Sequence, residues 1–292
     1  MVCWTLSAMS ELAPLGRSGN QVADWLELVA LSRGSAIGSD ALHVLGRSVR
    51  LAEADISVGL TAMSRRATQI GDGYPFRVSN GIAARANAAS SVWTSLLLLS
   101  QGSPARANIP LGAAAVHLEQ ITAAALAGLF GPATQVARFG WPGDEGRPPE
   151  FPEAIRWLAT KMGADVGSAY RPPYRKDGGV DVVAWRPFLD GRSGFPVVLA
   201  QCTLEQDYVH KAADVDLRVW AGWLRLDVDP LTALAVPTVV PHGEAWNALA
   251  ARTVVLDRPR LIGLLDGQMT PARMSQVQDW TQRAVSELRD ET

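Results

Sequence analysis

A carboxylate and an amide flank two short apolar runs in the segment from Asp177 to Thr203. Asp181 follows a Gly-Gly turn and precedes the first run, Val182 to Trp185, whereas Gln201 ends the second run. Two β-rich runs joined by a glycine-containing loop are typical of a β-hairpin. We therefore expect Asp181 and Gln201 to lie side by side, where their hard oxygen atoms suit a divalent metal ion. A core hairpin with a solvated turn aspartate and a buried glutamine fits the same spacing.

The elements around this hairpin alternate between helices and strands. Apolar spacing predicts a helix from Ala113 to Leu129 that carries Glu119, a strand at Gln135 to Phe139, and a helix that Pro152 starts. A helix from Glu205 to about Trp223 is expected after the hairpin and carries Lys211. Strands at 234–240 and 253–256 and two closing helices follow. This order predicts an α/β domain with three layers.

The first 105 residues read as helical, and we assign them to a separate recognition or partner-binding domain, leaving 106–292 as the second domain. Asn20 is the predicted N-cap of a helix over 21–33, Ser39-Asp40 begins a second with Leu42, Val44 and Leu45 facing inward, and further helices cover 51–70 and 83–100. The first two helices are compatible with a helix-turn-helix as well as with a small bundle. Gln101 to Pro110 is the predicted linker.

Composition narrows the class of protein. The chain has 292 residues, 48% of them hydrophobic, and a net charge of −2, which does not indicate a strongly basic nucleic-acid binder. No apolar run approaches the roughly 18 residues of a membrane span. Cys3 and Cys202 are too few for a disulfide framework, and no signal-peptide pattern is visible, so a cytoplasmic protein without a membrane partner is expected.

The sequence Asp-Gly-Gly-Val-Asp at 177–181, the apolar strand after it and the next strand, which ends in Gln201, resemble the core of the PD-(D/E)XK nucleases. Their Mrr-like branch, among the restriction endonuclease-like proteins, is the closest in pattern, and the resemblance covers roughly residues 113 to 225. The FGWP segment at 139–142 and the DGGVDVVAWRPFLDGR hairpin are also similar to those of bacterial proteins connected with phage defence.

The resemblance implies a three-layer restriction endonuclease-like core behind a helical N-terminal domain. It implies a DNA endonuclease that depends on Mg²⁺ or Mn²⁺, with DNA and other defence proteins as partners, and leaves a homo-oligomer open. Asp181 would be the principal metal-binding carboxylate, Gln201 would stand in for the second acid, and Glu119 would be the helix acid. Asp177 would shape the turn.

One position departs from the pattern, because the family has lysine where this chain has Thr203. The chain contains three lysines, and Lys211 is the candidate to supply the missing charge, although a solvated helix lysine fits equally well. Lys176 would contact a phosphate backbone. The alternative function is a catalytically inactive nuclease-fold subunit that binds nucleic acid or scaffolds a defence complex, and a protein-binding scaffold is a third.

Other polar residues are weaker candidates. Cys202 is expected to be a buried small side chain, with a minor case for a nucleophile, and no Ser-His-Asp order or P-loop is present. Four arginines around the hairpin either hold phosphates or remain solvated: Arg171, Arg175, Arg186 and Arg192.

Overall fold

The computed structural model describes residues 13–34, 36–79, 82–85, 91–101, 111–143, 146–172, 175–265 and 269–290. Cys3 and positions 102–110 of the predicted linker lie outside these ranges. No helix within them is both long and apolar enough to cross a membrane. The chain divides into two compact units, one formed by residues 1–110 together with 270–292, the other by 111–269.

The first unit combines helices with one β-hairpin. Its elements are α1 Gly19–Arg33, α2 Ser39–Ser48, α3 Glu53–Ile70, β1 Phe76–Ser79, β2 Ile82–Arg85, α4 Ser91–Ser100 and the final helix, α10 Pro271–Asp290. The predicted helix over 83–100 is wrong at residues 83–85, because 82–85 pairs antiparallel with 76–79. Ser18 caps α1 in a capping box with Gln21, in place of the predicted Asn20. Val44 is half exposed on α2, whereas Leu42 and Leu45 are buried as predicted.

A buried polar network holds the centre of the first unit. The Arg66 guanidinium on α3 donates to Asp24 Oδ1 at 2.7 Å and to Glu27 Oε1 on α1. Tyr74 Oη donates to Glu27 Oε1 at 2.7 Å, and Trp93 Nε1 donates to Glu27 Oε2 at 2.9 Å. Both Glu27 oxygens are therefore engaged, as a buried carboxylate requires.

The C-terminal helix belongs to the first unit, whereas the sequence placed residues 270–292 in the second domain. Thr270 accepts from Arg273 N and begins this helix as predicted. Its buried face, with Val277, Ala284 and Leu288, packs against α4 and α1. Arg289 Nε donates to Leu31 O at 3.1 Å, at the end of α1. An amphipathic pattern predicts the helix but not which unit covers its apolar face.

The second unit is a mixed α/β fold, as the alternation of elements predicted. Its elements are α5 Leu111–Leu129, β3 Gln135–Arg138, α6 Phe151–Met162, β4 Asp165–Val166, β5 Val182–Trp185, β6 Val197–Cys202, a 3-10 helix Val209–Ala213, α7 Leu217–Trp223, β7 Leu224–Arg225, β8 Leu231–Ala235, α8 Glu244–Ala250, β9 Val254–Leu256 and α9 Arg258–Leu264.

Five strands form the central sheet in the order β3-β5-β6-β8-β9. The pairs β3–β5 and β5–β6 are antiparallel, whereas β6–β8 and β8–β9 are parallel. Val183 and Leu199 face a core shared with α6 and the tryptophans of α7, and α5 packs against β3, β5 and β6. Because the short valine-rich strands are covered by helices, the β5 residues are all buried.

Two predicted boundaries in this unit are wrong. The expected helix over 205–223 is a 3-10 helix followed by the short α7, which Asp216 caps by accepting from Arg218 N and Val219 N. The strand predicted at 234–240 occupies Leu231–Ala235, because Pro237 lacks the N–H that a longer ladder would need.

The buried network of the first unit generates a stability prediction. Arg66→Met leaves the Asp24 and Glu27 carboxylates without the guanidinium, and we expect the free energy of unfolding to fall by about 3–5 kcal/mol. Arg65→Met, at the exposed neighbouring position, is the matched control and should change stability by less than about 0.5 kcal/mol. Urea unfolding measures both, and equal stability of the two variants would contradict the role assigned to Arg66.

Candidate functional site

The turn before β5 is fixed by glycine conformation and by tryptophan packing. Gly178 and Gly179 have φ angles of 69° and 81°, a region that favours glycine. Asp177 Oδ1 accepts from Gly179 N at 3.0 Å, and Trp220 Nε1 donates to Gly178 O at 3.1 Å. A Cβ on Gly178 would lie 2.9 Å from the Trp223 ring. Asp177 therefore shapes the turn, as the resemblance implied.

Asp181 is held by backbone hydrogen bonds on both sides. Its N–H donates to Ala200 O at 2.8 Å, and its carbonyl accepts from both Phe139 N and Gly140 N, the pattern of a β-bulge at the end of β3. Its side-chain Oδ2 accepts from Cys202 N at 2.7 Å. The carboxylate is thus fixed in position at the start of β5, and its backbone and side-chain partners flank Gln201 in β6.

Glu119 lies on α5 beside the same bulge. A Cβ on Gly140 would lie 2.6 Å from Glu119 Oε2, so the carboxylate rests directly against this glycine. Glu119 Oε2 also accepts from Arg138 Nη1 at 2.5 Å, and Arg138 Nη2 donates to Pro142 O. Glu119 and Arg138 are both about 5% exposed. The structure therefore places Glu119 next to Asp181, with an arginine as its counter-charge.

Burial and the neighbouring Glu119 carboxylate shift the pKa of Asp181. Burial, and after it the negative charge of Glu119, raises the pKa of Asp181 to about 7, against the opposing effect of the Cys202 N–H. Arg138 lowers this pKa less than Glu119 raises it. A carboxylate whose pKa is perturbed by burial together with a specific neighbouring charge is a common property of functional sites.

Gln201 is connected to Lys211 through a residue that the sequence did not single out. Gln201 Nε2 donates to Asp214 Oδ2 at 3.2 Å, and Lys211 Nζ lies 3.5 Å from the same oxygen and 3.0 Å from Glu205 Oε1. Gln201 Oε1 is buried, and no described residue donates a hydrogen bond to it. Lys211 is therefore one side chain away from Gln201, and its ammonium is paired with two carboxylates.

Thr203 does not replace the family's lysine in charge or in contacts. Its Oγ1 accepts from Glu205 N at 3.1 Å, and the residue is buried. Lys176 is exposed, and its carbonyl accepts from Arg147 Nη2. Of the four arginines around the hairpin, the side chain of Arg171 donates to backbone carbonyls, Arg175 lies over the Trp223 ring, and Arg192 pairs with Asp190. Arg186 Nη1 is buried and has no hydrogen-bond partner among the described residues.

The Cys202 thiol and the His117 imidazole are both in surroundings unsuited to catalysis. Burial, followed by the charges of Asp181 and Glu119, raises the pKa of the Cys202 thiol well above its usual value, so the thiol stays protonated. Burial lowers the pKa of His117 to about 4, which leaves a neutral core histidine. His210 is half exposed beside Glu205 and Asp207, and His242 lies against Trp246.

The donor chemistry of the site fits a hard divalent cation. Asp181 and Glu119 supply carboxylate oxygens, and Gln201 Oε1 is a buried acceptor that has no donor in the described part of the chain. Within the described ranges, no group of three or more His, Cys, Asp or Glu side chains is arranged to hold a metal ion, so the amide would have to complete the set. The ion pair between Arg138 and Glu119 already occupies one of these oxygens.

Two residues of the site, Arg138 and Asp214, are not predicted by the sequence. Arg138 ends β3 and reaches a helix residue 19 positions earlier, and Asp214 meets Gln201 from a segment predicted as continuous helix. Arg138 carried a usable signal, since a charged residue at the end of an apolar strand needs a buried partner. Asp214 carried none, because its position depends on the 3-10 helix.

Comparison of the chain with protein-family models, with curated proteins and with solved structures gives no match. The resemblance in the hairpin therefore stands on the residues described above.

The raised pKa of Asp181 generates a pH prediction. The folded state keeps the proton up to about pH 7, whereas the unfolded chain loses it near pH 4. Stability therefore falls as pH rises through this window, and the full cost is present above pH 7. Asp181→Asn keeps an acceptor for Cys202 N–H and removes the charge.

Without divalent metal, we expect Asp181→Asn to be more stable than the wild type at pH 8, by up to about 4 kcal/mol, and equally stable near pH 4. Urea unfolding across pH measures the difference, with Asp229→Asn at an exposed position as the control. A difference that does not change with pH would contradict the raised pKa.

The contact between Gly140 and Glu119 generates a second prediction. Gly140→Ala places a methyl group where Glu119 Oε2 now lies, and the side chain can move away because it is flexible. We expect a folded variant in which the pKa of Asp181 is lower than in the wild type, because the neighbouring charge has moved away. Carboxyl-selective NMR titration measures this pKa, and an unchanged value would contradict the proximity of the two carboxylates.

Proposed function

We propose that this protein is a divalent-metal-dependent DNA endonuclease with a PD-(D/E)XK-like core, acting in bacterial defence against foreign DNA in the cytoplasm. The observation that carries the proposal is the fixed Asp181 carboxylate, which lies beside Glu119 and has a pKa raised to about 7. A buried carboxylate beside a second carboxylate suits a cation that polarises phosphate oxygens.

The order of elements in the second unit supports the same proposal. Helix α5 is followed by three strands, β3, β5 and β6, that pair antiparallel, and then by β8, which pairs parallel with β6. The family core implied by the resemblance likewise has an acid on the opening helix, an aspartate before the second strand and a glutamine at the end of the third. Helix α6, the β4–β7 ribbon and β9 lie outside that shared pattern.

Each residue has a separate role in the proposed reaction. Asp181, Glu119 and Gln201 would hold Mg²⁺ or Mn²⁺, which when bound lowers the pKa of a water molecule and polarises the scissile phosphate. The Cys202 N–H fixes the orientation of the Asp181 carboxylate. Arg138 anchors Glu119 by an ion pair, and Thr203 supplies no charge at the position where the family has lysine.

The proposal predicts metal-dependent cleavage of DNA. Purified wild-type protein with Mn²⁺ or Mg²⁺ should nick or cut plasmid DNA, and Asp181→Ala should reduce the rate by at least about 100-fold, since the principal ligand is gone. Mn²⁺ should raise the melting temperature of the wild type but not of Asp181→Ala. Cys202→Ala is the matched control, because it keeps the backbone N–H that Asp181 accepts from, and it should cleave at the wild-type rate.

A second function is favoured by two specific observations. Thr203 carries no charge, and Glu119 is already paired with Arg138, so the fold would also suit an inactive subunit that binds nucleic acid or scaffolds a defence complex. Wild-type protein and Asp181→Ala that both bind DNA equally in a gel-shift assay, and that are both inert with Mn²⁺, would favour this subunit over the nuclease.

A further inference from the structure

Asp214 lies between the turn that leads to Asp181 and the strand that carries Gln201. A Cβ on Gly179 would lie 3.1 Å from Asp214 O, so the backbone of Asp214 packs closely on the turn. Its side-chain Oδ2 accepts from Gln201 Nε2 at 3.2 Å and lies 3.5 Å from Lys211 Nζ. Asp214 therefore contacts three parts of the site: the turn before β5, Gln201 at the end of β6, and Lys211.

The hydrogen bond from Gln201 determines which end of its amide is available. An ionised carboxylate only accepts hydrogen bonds, so an amide beside it must present its NH₂ group to that carboxylate. The amide oxygen then points away from Asp214. This Oε1 atom is buried and has no hydrogen-bond partner among the residues that the structure describes, and Gln201 as a whole is 8% exposed. A buried acceptor without a donor is costly unless a ligand completes it.

Lys211 holds the Asp214 carboxylate by an ion pair that also includes Glu205. Its ammonium lies between Asp214 and Glu205, and the hydrogen bond and charge of Glu205 raise the pKa of Lys211. Asp214 Oδ2 is thus contacted both by the Lys211 ammonium and by the Gln201 amide. Lys211 therefore acts on Gln201 through Asp214, which is a different role from donating charge directly to a phosphate.

We infer that Asp214, held by Lys211, is the positioning residue that fixes the Gln201 amide so that Oε1 is presented as an acceptor to the cation of the proposed site. The inference rests on the proposed function for the identity of the ligand. The orientation of the amide itself depends only on the contacts among these three residues.

The inference explains why glutamine suits this chain at the place where an acid is expected. A glutamate at 201 would put two carboxylates in contact, with one of them buried, which raises the pKa of the pair and leaves a proton between them. With Asp214 present, glutamine supplies the same acceptor oxygen without that repulsion. The negative charge that an acid at position 201 would have supplied is thus on Asp214, which accepts a hydrogen bond from Gln201.

A charge-swap series tests the positioning role by Mn²⁺ titration calorimetry. Asp214→Asn offers a donor as well as an acceptor, so the Gln201 amide loses its fixed orientation, and we expect Mn²⁺ affinity to fall roughly 10- to 100-fold, as for other residues that orient metal ligands. Lys211→Met should weaken affinity in the same direction but by less. The double variant Gln201→Glu with Asp214→Asn should regain most of the affinity, because the pair again has one donor, one acceptor and one negative charge.

Two controls separate positioning from folding. Asp229→Asn, at an exposed position, should leave Mn²⁺ affinity unchanged, and all variants should melt within a few degrees of the wild type. Wild-type affinity in Asp214→Asn, or a double variant as weak as Asp214→Asn alone, would overturn the positioning role.

A metal-free measurement separates the failure of this inference from the failure of the proposed function. The side-chain NH₂ of Gln201, assigned by its loss in Gln201→Glu, should exchange with solvent more slowly than that of exposed Gln69, and Asp214→Asn should remove the protection. Protection in a protein that binds no Mn²⁺ would contradict the metal site and still support the orientation. Exchange as fast as that of Gln69 would overturn the orientation whatever the metal result.

Discussion

The hydrogen bonds of Asp181 are the constraint on which the second unit depends. Its carbonyl joins the end of β3, its N–H joins β6, and its side chain accepts from Cys202 N. Asp181 therefore connects three strands by hydrogen bonds, and its own side-chain carboxylate makes one of those bonds. The two glycines before it and the tryptophans of α7 fix the turn, so the backbone cannot shift without breaking the packing on one face of the sheet.

The two units contain similar buried charges that are satisfied to different degrees. In the first unit, Glu27 accepts from Arg66, Tyr74 and Trp93, so that both of its oxygens are engaged. In the second unit, Arg138 pairs with Glu119, whereas the pKa of Asp181 remains raised. A fully bonded network stabilises a fold, whereas a partly neutralised one costs stability and is retained where a ligand completes it.

How far the sequence predicts this molecule depends on the range of the interactions involved. The hairpin, the placement of Asp181 before β5 and of Gln201 in β6, and the helix of Glu119 follow from local patterns of apolar residues and glycines. The β1–β2 hairpin and the break between the 3-10 helix and α7 do not, because small apolar residues fit helices and strands equally well. Arg138 and Asp214 also escape prediction, since their partners are distant in the chain and no local spacing encodes such contacts.

The missing lysine at Thr203 changes the role of the remaining charges. Lys211 is the basic residue tied to Gln201, through Asp214, and its charge is balanced by Glu205 and Asp214. Such a lysine contributes orientation and not net positive potential, because two carboxylates already surround it. The charge of Arg138 is likewise balanced by Glu119, with which it forms an ion pair. Under the proposed function, stabilisation of negative charge on a phosphate would then have to come from the cation, whose affinity would depend on how firmly Asp181, Glu119 and the Gln201 amide are held.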